Sequence, residues 1–281
     1  MKKYIGYFVA ISIFCAACGS LTQDIEIDLP DYDNQLAVES FLIPGQPLTV
    51  LLTQSESYFA PFTIENDQFL ENILIDEADV RITFDGTTHT LENQLFFNPF
   101  TEKLANYIAP SVIVPDDFDG VFELEVIAKD GRTASATTTL PIPIPIDSVQ
   151  VEWAENDTLA RVLAYFQDIP NEENYFRRLL TGGEQDTVVL DFVFDDSFND
   201  NTQLVAGTAY DYVVGDTMQH VIYHITEDFF NYMTSIYAAV GSNGNPFAQP
   251  STILSNVEGE SDPIGIFTGM NIEAARVIIE R

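Results

Sequence analysis

A cysteine behind two small residues is the first stretch of this sequence whose chemistry can be named. In Cys15-Ala16-Ala17-Cys18, Ala16 and Ala17 precede Cys18. A lipoprotein signal peptidase needs such small side chains, and the thiol that follows them takes a diacylglycerol. Cys15 does not fit, because bulky Phe14 would occupy its cleavage position; Cys15 itself stands where leucine is usual. Upstream, Lys2 and Lys3 form a charged n-region, and Tyr4 to Phe14 is apolar except for Gly6 and Ser12. That run is too short to span a bilayer and reads as a removed secretory signal. The alternative is an ordinary signal peptide with a chance cysteine. Acyl chains would supply the apolar area that a polar mature chain lacks.

Other groups with chemical potential are oxygen donors and imidazoles. The loop Asp195, Asp196, Asn199, Asp200, Asn201 offers hard oxygens suited to calcium, with Asp195, Asp196 and Asp200 as the charged ligands. Its spacing is not that of an EF-hand, and a solvated turn is the alternative. Asp116, Asp117 and Asp119 before Gly120 form a second such loop. The histidines are His89, His220 and His224. The last two, four apart in an expected strand, share a face about 13 Å from each other, too far for one metal ion. They are expected as exposed strand residues. A serine hydrolase would show a Gly-x-Ser-x-Gly elbow, which is absent. A glycosidase needs two carboxylates across a cleft, but with 44 acidic residues some pair always qualifies. Trp153 and the many Tyr and Phe residues are expected in the core.

Removal of residues 1–17 leaves 264 residues, enough for two ordinary domains. Loss of Lys2 and Lys3 takes the basic residues from 11 to 9 against 44 acidic, a net charge near -35. Such a surface disfavours nucleic acid, whose phosphates a binding protein must neutralise. It disfavours adhesion to an anionic bilayer too. Three readings of the acidity stay open: solvation in salty water, divalent cations, or a basic partner. With Cys15 removed and Cys18 acylated, no thiol remains for catalysis, a disulfide or a Cys-based zinc site.

The elements that must position these groups are mostly strands. Gly19 to Asn34 is an acidic tether, with Asp24, Glu26, Asp28, Asp31 and Asp33 along it and Pro30 breaking it. Leu36–Ile43 and Leu48–Thr53 flank a Pro44-Gly45-Gln46-Pro47 turn. Val80, Ile82 and Phe84 alternate with polar residues before Asp85-Gly86. Phe122, Leu124, Val126 and Ala128 oppose Glu123 and Glu125, and Asp130-Gly131 leads into Thr133–Leu140. This predicts an immunoglobulin-like β-sandwich over 35–140. The aromatic segment 54–76 is expected to tuck onto its core. Alternate prolines in Pro141 to Asp147 predict an extended connector or edge strand. Residues 148–281 predict an antiparallel β-meander, a sandwich or a barrel. Its strands are expected near 148–155, 159–167, 175–181, 187–194, 208–214, 219–225, 265–270 and 272–280. One α-helix is predicted at about 227–241, capped by Thr226, acidic in its first turn and ended by Gly241. Its expected apolar stripe is Phe229, Met233, Ile236, Tyr237 and Val240.

Several of these pieces resemble a known family in their order and spacing. They are the acidic tether after a lipobox, the Pro-rich joint at 141–147, Asn174-Tyr175 after Glu172-Glu173, and Asp195-Asp196-Ser197-Phe198 with Asp200. The C-terminal run adds Ile225 to Tyr232, Asn245-Pro246-Phe247, Ser255 to Gly259 and Gly265-Ile266-Phe267. Together they resemble the Bacteroidota lipoprotein family catalogued as domain of unknown function 4249, across essentially the whole mature chain. This sequence departs by inserting Glu260 to Pro263 before Gly265. The resemblance implies an outer-membrane lipoprotein, often encoded beside TonB-dependent transporters, and acidic residues after the lipidated cysteine resemble the export signal to the cell surface. It implies no activity and no catalytic residues.

The expectation is therefore a non-enzymatic, lipid-anchored accessory protein of the outer membrane that binds a TonB-dependent transporter or its cargo. The alternatives are an extracellular polymer-binding adhesin or polymer-acting enzyme with calcium-stabilised loops, and a purely structural envelope scaffold.

Overall fold

The computed structural model describes residues 33–56, 73–99, 101, 103–155, 158–182, 187–197, 203–242 and 251–281. The signal segment, Cys18, most of the tether and the aromatic residues from Tyr58 to Phe69 lie outside the described residues. Asn34–Arg281 forms one compact unit. No helix among the described residues is long and apolar enough to cross a membrane.

Local chemistry explains most strands and their turns. The first half contains β1 (Leu36–Leu42), β2 (Pro47–Gln54), β3 (Ala78–Phe84), β4 (Thr87–Thr90), β5 (Glu92–Asn98), β6 (Lys103–Ile113), β7 (Val121–Ala128) and β8 (Thr133–Thr139). Between β1 and β2, Pro44 precedes Gly45 at φ 79°, and Gln46 N donates to Ile43 O at 3.0 Å, a type II arrangement. Between β3 and β4, Asp85 and Gly86 both take positive φ, 47° and 67°, which suits a type I′ hairpin. In β7 the expected alternation holds: Phe122, Leu124, Val126 and Ala128 are buried and the residues between them exposed.

The second half contains β9 (Ile146–Trp153), β10 (Ala160–Gln167), β11 (Tyr175–Gly182), β12 (Thr187–Asp195), β13 (Gln203–Gly207), β14 (Thr217–Ile225), α1 (Glu227–Ser242) and β15 (Ile264–Ile278). Thr226 Oγ1 accepts from Phe229 N at 3.3 Å, so the expected cap is present.

The strands form three sheets. The largest runs β12-β11-β14-β15-β1-β2-β6-β5; the others run β4-β3-β7-β8 and β13-β10-β9. β15 joins the two halves of the chain by pairing parallel to β1, from Ala37 opposite Ile264 to Leu42 opposite Gly269. On one face of the long sheet, a core of Leu36, Val38, Val50, Tyr107 and Phe267 packs against Val80, Ile82, Phe122 and Leu124 of the four-stranded sheet. Farther along, Phe176, Ile222, Leu180 and Met218 pack against Ala164, Phe166 and Val162 of the three-stranded sheet. On the opposite face, Phe229 and Tyr232 of α1 cover Val221, Tyr223, Ile225, Ile266 and Met270. The architecture is thus mainly β, sandwich-like, with one described helix; of the two forms expected for the second half, the closed barrel is not the one found.

In the second half, four details of strand and helix placement differ from the sequence-based expectation. β13 lies at Gln203–Gly207, and 208–214 is not a strand. There Thr208 Oγ1 accepts from Val162 N, and Asp216 Oδ2 accepts from Val213 N, so side chains satisfy backbone groups that a ladder would otherwise hold. The two expected C-terminal strands are one continuous β15 of 15 residues. The helix continues through Gly241 to Ser242. Its buried stripe is rotated onto Phe229, Tyr232 and Ser235, while Tyr237 and Val240 are exposed. The hydroxyls explain that rotation: Tyr232 donates to Glu39 Oε1 at 3.3 Å, and Ser235 Oγ accepts from Leu254 N at 2.9 Å.

The Pro-rich segment is pinned to the long sheet. Ile142 O accepts from His224 Nδ1 at 2.7 Å, Pro141 O accepts from Asn271 Nδ2, and Ile144 is buried.

Candidate functional site

Of the groups singled out in the sequence, Asn174 and the Asp195-Asp196 pair meet at the end of the long sheet where β11 begins and β12 ends. The turn before β11 holds Asn171 at φ 64° and delivers Asn174, which is 2% exposed. Asn174 N donates to Asp196 Oδ2 at 2.9 Å, and Asp196 N donates back to Asn174 O at 3.2 Å. The Asn174 amide Nδ2 lies 2.9 Å from Asp196 Oδ2, 3.1 Å from Asp168 Oδ1 and 3.0 Å from Glu172 O. Asp168 and Asp196 are both buried. A carboxylate buried without such donors is costly. Asn174 therefore locks the turn before β11 to the end of β12.

Asp195 Oδ1 accepts from Ser197 Oγ at 2.7 Å and from Ser197 N at 3.3 Å. Asp195 and Asp196 are thus neighbours with separate structural duties, and Asp200, with Asn199 and Asn201, lies outside the described residues. Among the described residues no group of three His, Cys, Asp or Glu side chains gathers to hold a metal ion. In the loop at 116–120, Asp117 Oδ1 accepts from Gly120 N at 3.1 Å and closes a local turn.

His220 and His224 do share one face of β14, as their spacing requires, but both are buried rather than exposed. β14 lies inside the long sheet, covered on both faces, which leaves no solvent side for them. His224 donates from Nδ1 to Ile142 O and stacks on Phe176, with ring centroids 5.4 Å apart. His220 Nδ1 lies 3.5 Å from Arg178 Nη2. A guanidinium only donates, so Nδ1 is the acceptor and the proton sits on Nε2. Burial, and then the nearby Arg178 charge, pull the His220 pKa down to about 4.

That shift has a defined sign. The unfolded histidine takes a proton near pH 6.5 and the folded one near 4, so stability is fully present above 6.5 and falls with pH toward 4. The loss at pH 4 is about 3 kcal/mol by linkage. Glutamine at 220 (His220→Gln) removes the titration, so its stability should fall less over this window. Urea unfolding at pH 7 and pH 4.5 measures the difference; parallel profiles for the two proteins would contradict it.

Sequence reading missed Arg178. It is 4% exposed and stands on the buried side of β11 between Phe176 and Leu180. The alternation of Phe176, Arg178 and Leu180 could have placed it there. Nη1 donates to Gly207 O at 2.7 Å and Nη2 to Ala206 O at 3.3 Å, so the guanidinium reaches the end of β13. Beside it a cavity of about 400 Å³ is lined by Phe166, Phe192, Phe194, Leu204 and Arg178, with Asp195 and Asp196 also at its wall.

No curated protein matches the chain. Among solved structures, it is similar to a DUF4785 family protein of Legionella pneumophila, at 10% identity and a TM-score of 0.25. The match covers 66% of this chain and 52% of that one, so this chain spans about half the length of that relative. The sequence profile of the family described as domain of unknown function (DUF4249) matches residues 22–276. The chain belongs to the DUF4249 family.

Proposed function

We propose that the protein is a non-enzymatic lipoprotein, anchored through Cys18 in the outer membrane and facing outward, that binds a TonB-dependent transporter or its cargo. The observation that carries this reading is the lipobox at Cys18 followed by the acidic stretch to Asp33 and a folded body that begins at Asn34. Such an order separates an anchor, a spacer and a binding body.

Two features support a binding rather than a catalytic role. The histidines of β14 are engaged inside the fold, His224 by a carbonyl and His220 beside Arg178. Asp195 and Asp196 hold their own turn and Asn174. Alanine at position 18 (Cys18→Ala) should move most of the protein from the membrane to the supernatant on fractionation, since stable anchoring takes more than a polar surface. Persistence in the membrane pellet would contradict the anchor.

A further inference from the structure

We infer that the cavity between β12 and β13 binds a small carboxylate with a flat apolar body, its anionic end held by Arg178. This inference stands apart from the transporter reading: it concerns a pocket within the folded body, whatever partner the whole protein has.

The first reason is an uncompensated cation. Arg178 is buried, yet its bonded partners are two peptide carbonyls and the neutral His220. The ion pairs formed by the described arginines and lysines do not include it. Nε of Arg178 and Nε2 of His220 are buried and find no hydrogen-bond partner among the described residues. A charge taken out of water costs several kcal/mol unless an opposite charge and hydrogen bonds compensate it. Tying the end of β13 uses Nη1 and Nη2 and leaves the Nε–H unused. In a chain with four times as many acidic as basic residues, a buried arginine with no carboxylate bonded to it among the described residues is the exception that asks for an occupant.

The second reason is the cavity itself. It lies between two strands at the edges of their sheets, β12 and β13. Its volume falls in the range of small-molecule sites, and its lining sets the apolar side chains of Phe166, Phe192, Phe194 and Leu204 beside one cationic donor, Arg178, with the carboxylates of Asp195 and Asp196 at the wall. Phe194 stacks on Phe176 at 5.2 Å and meets Phe192 at 5.6 Å, which gives one wall a layered aromatic surface suited to a flat body.

The charges select the class of anion. One guanidinium, with no second cation among the described lining residues, matches a single negative charge, and its unused Nε–H is the donor left for a carboxylate oxygen. Asp195 and Asp196 in the same lining would repel a second charge, which disfavours phosphate esters and dicarboxylates.

The test uses the full-length protein in detergent and fluorine NMR of 4-fluorobenzoate and 4-fluorophenylacetate, with their uncharged amides as controls. At least one acid should show saturable binding, at least tenfold tighter than its amide. Methionine at 178 (Arg178→Met) should weaken that binding at least tenfold. Phe192→Ala, at a half-buried wall position, should weaken it several-fold with Arg178 intact. Absence of saturable binding by either acid, or equal binding of acid and amide, would overturn the inference. Should Arg178→Met fail to fold, unchanged affinity in Phe192→Ala would overturn it in the same way.

Discussion

Gly265→Ala is expected to cost at least about 3 kcal/mol of stability, enough to leave a marginal domain largely unfolded. Gly265 opens β15 opposite Val38 of β1. A Cβ at this position would lie 1.9 Å from Val38 O and 2.8 Å from Val38 C, atoms of a backbone that cannot step aside. Its φ of 129° adds strain for any residue with a side chain. Relief requires β15 to move away from β1, and that ladder is where the long sheet passes from one half of the chain to the other. Gly269 has the same tightness on a second neighbour: a Cβ there would meet Thr139 O at 2.2 Å. Urea unfolding of Gly265→Ala should show a midpoint far below the parent. A loss under about 1 kcal/mol would mean that the β1–β15 pairing is looser than its register implies.

Asn174→Ala should cost about 2–4 kcal/mol, the range for stranding buried polar and charged partners. Asp196 keeps the Asn174 backbone donor but loses the amide 2.9 Å from its Oδ2, and Asp168 loses a donor at 3.1 Å. Asn174→Asp should be worse at neutral pH, because it brings a third carboxylate to two that are already buried. Part of its deficit should return as the pH falls and the introduced carboxyl takes up its proton. Thermal melts at pH 7 and pH 5 check both variants. Equal stability of Asn174→Ala and the parent would show that the turn before β11 is held elsewhere.

Legibility in the sequence followed whether a local period existed. β7 alternates without a break, Asp85-Gly86 has the residues a tight hairpin demands, and Thr226 has the hydroxyl a helix start needs; all three were readable. β5 was not, because Glu92 to Leu95 are all exposed and no alternation marks them. β6 hides for the opposite reason. Ala105 to Ala109 are buried in succession, with Asn106 among them because its amide holds both backbone groups of Leu52. The helix stripe was misplaced by reading hydrophobicity alone, when Tyr232 and Ser235 are inside through their hydroxyl bonds. The parallel β1–β15 pairing joins segments more than two hundred residues apart, and no local period encodes such a closure.

The site was legible in pieces. Asn174 and the Asp195-Asp196 pair stood out as family features, but their joint role emerges only when β11 and β12 pair, Tyr175 opposite Asp195. The histidines were read as exposed because a strand at the middle of a doubly covered sheet looks, from its own residues, like one at a surface. Arg178 was overlooked because a polar residue in an alternating strand is first assigned to the solvent side. Its neighbour Arg177 lies on the opposite face, half-buried, and is bonded to Asp191 through Nε and Nη2, each at 2.7 Å.

We propose an anchored β body that works beside a transporter. The most direct measurement is affinity purification of the tagged, lipidated protein from its own outer membrane, with mass spectrometry of what accompanies it. A TonB-dependent transporter recovered in stoichiometric amount is the predicted result. Repeated recovery of the protein alone would contradict it.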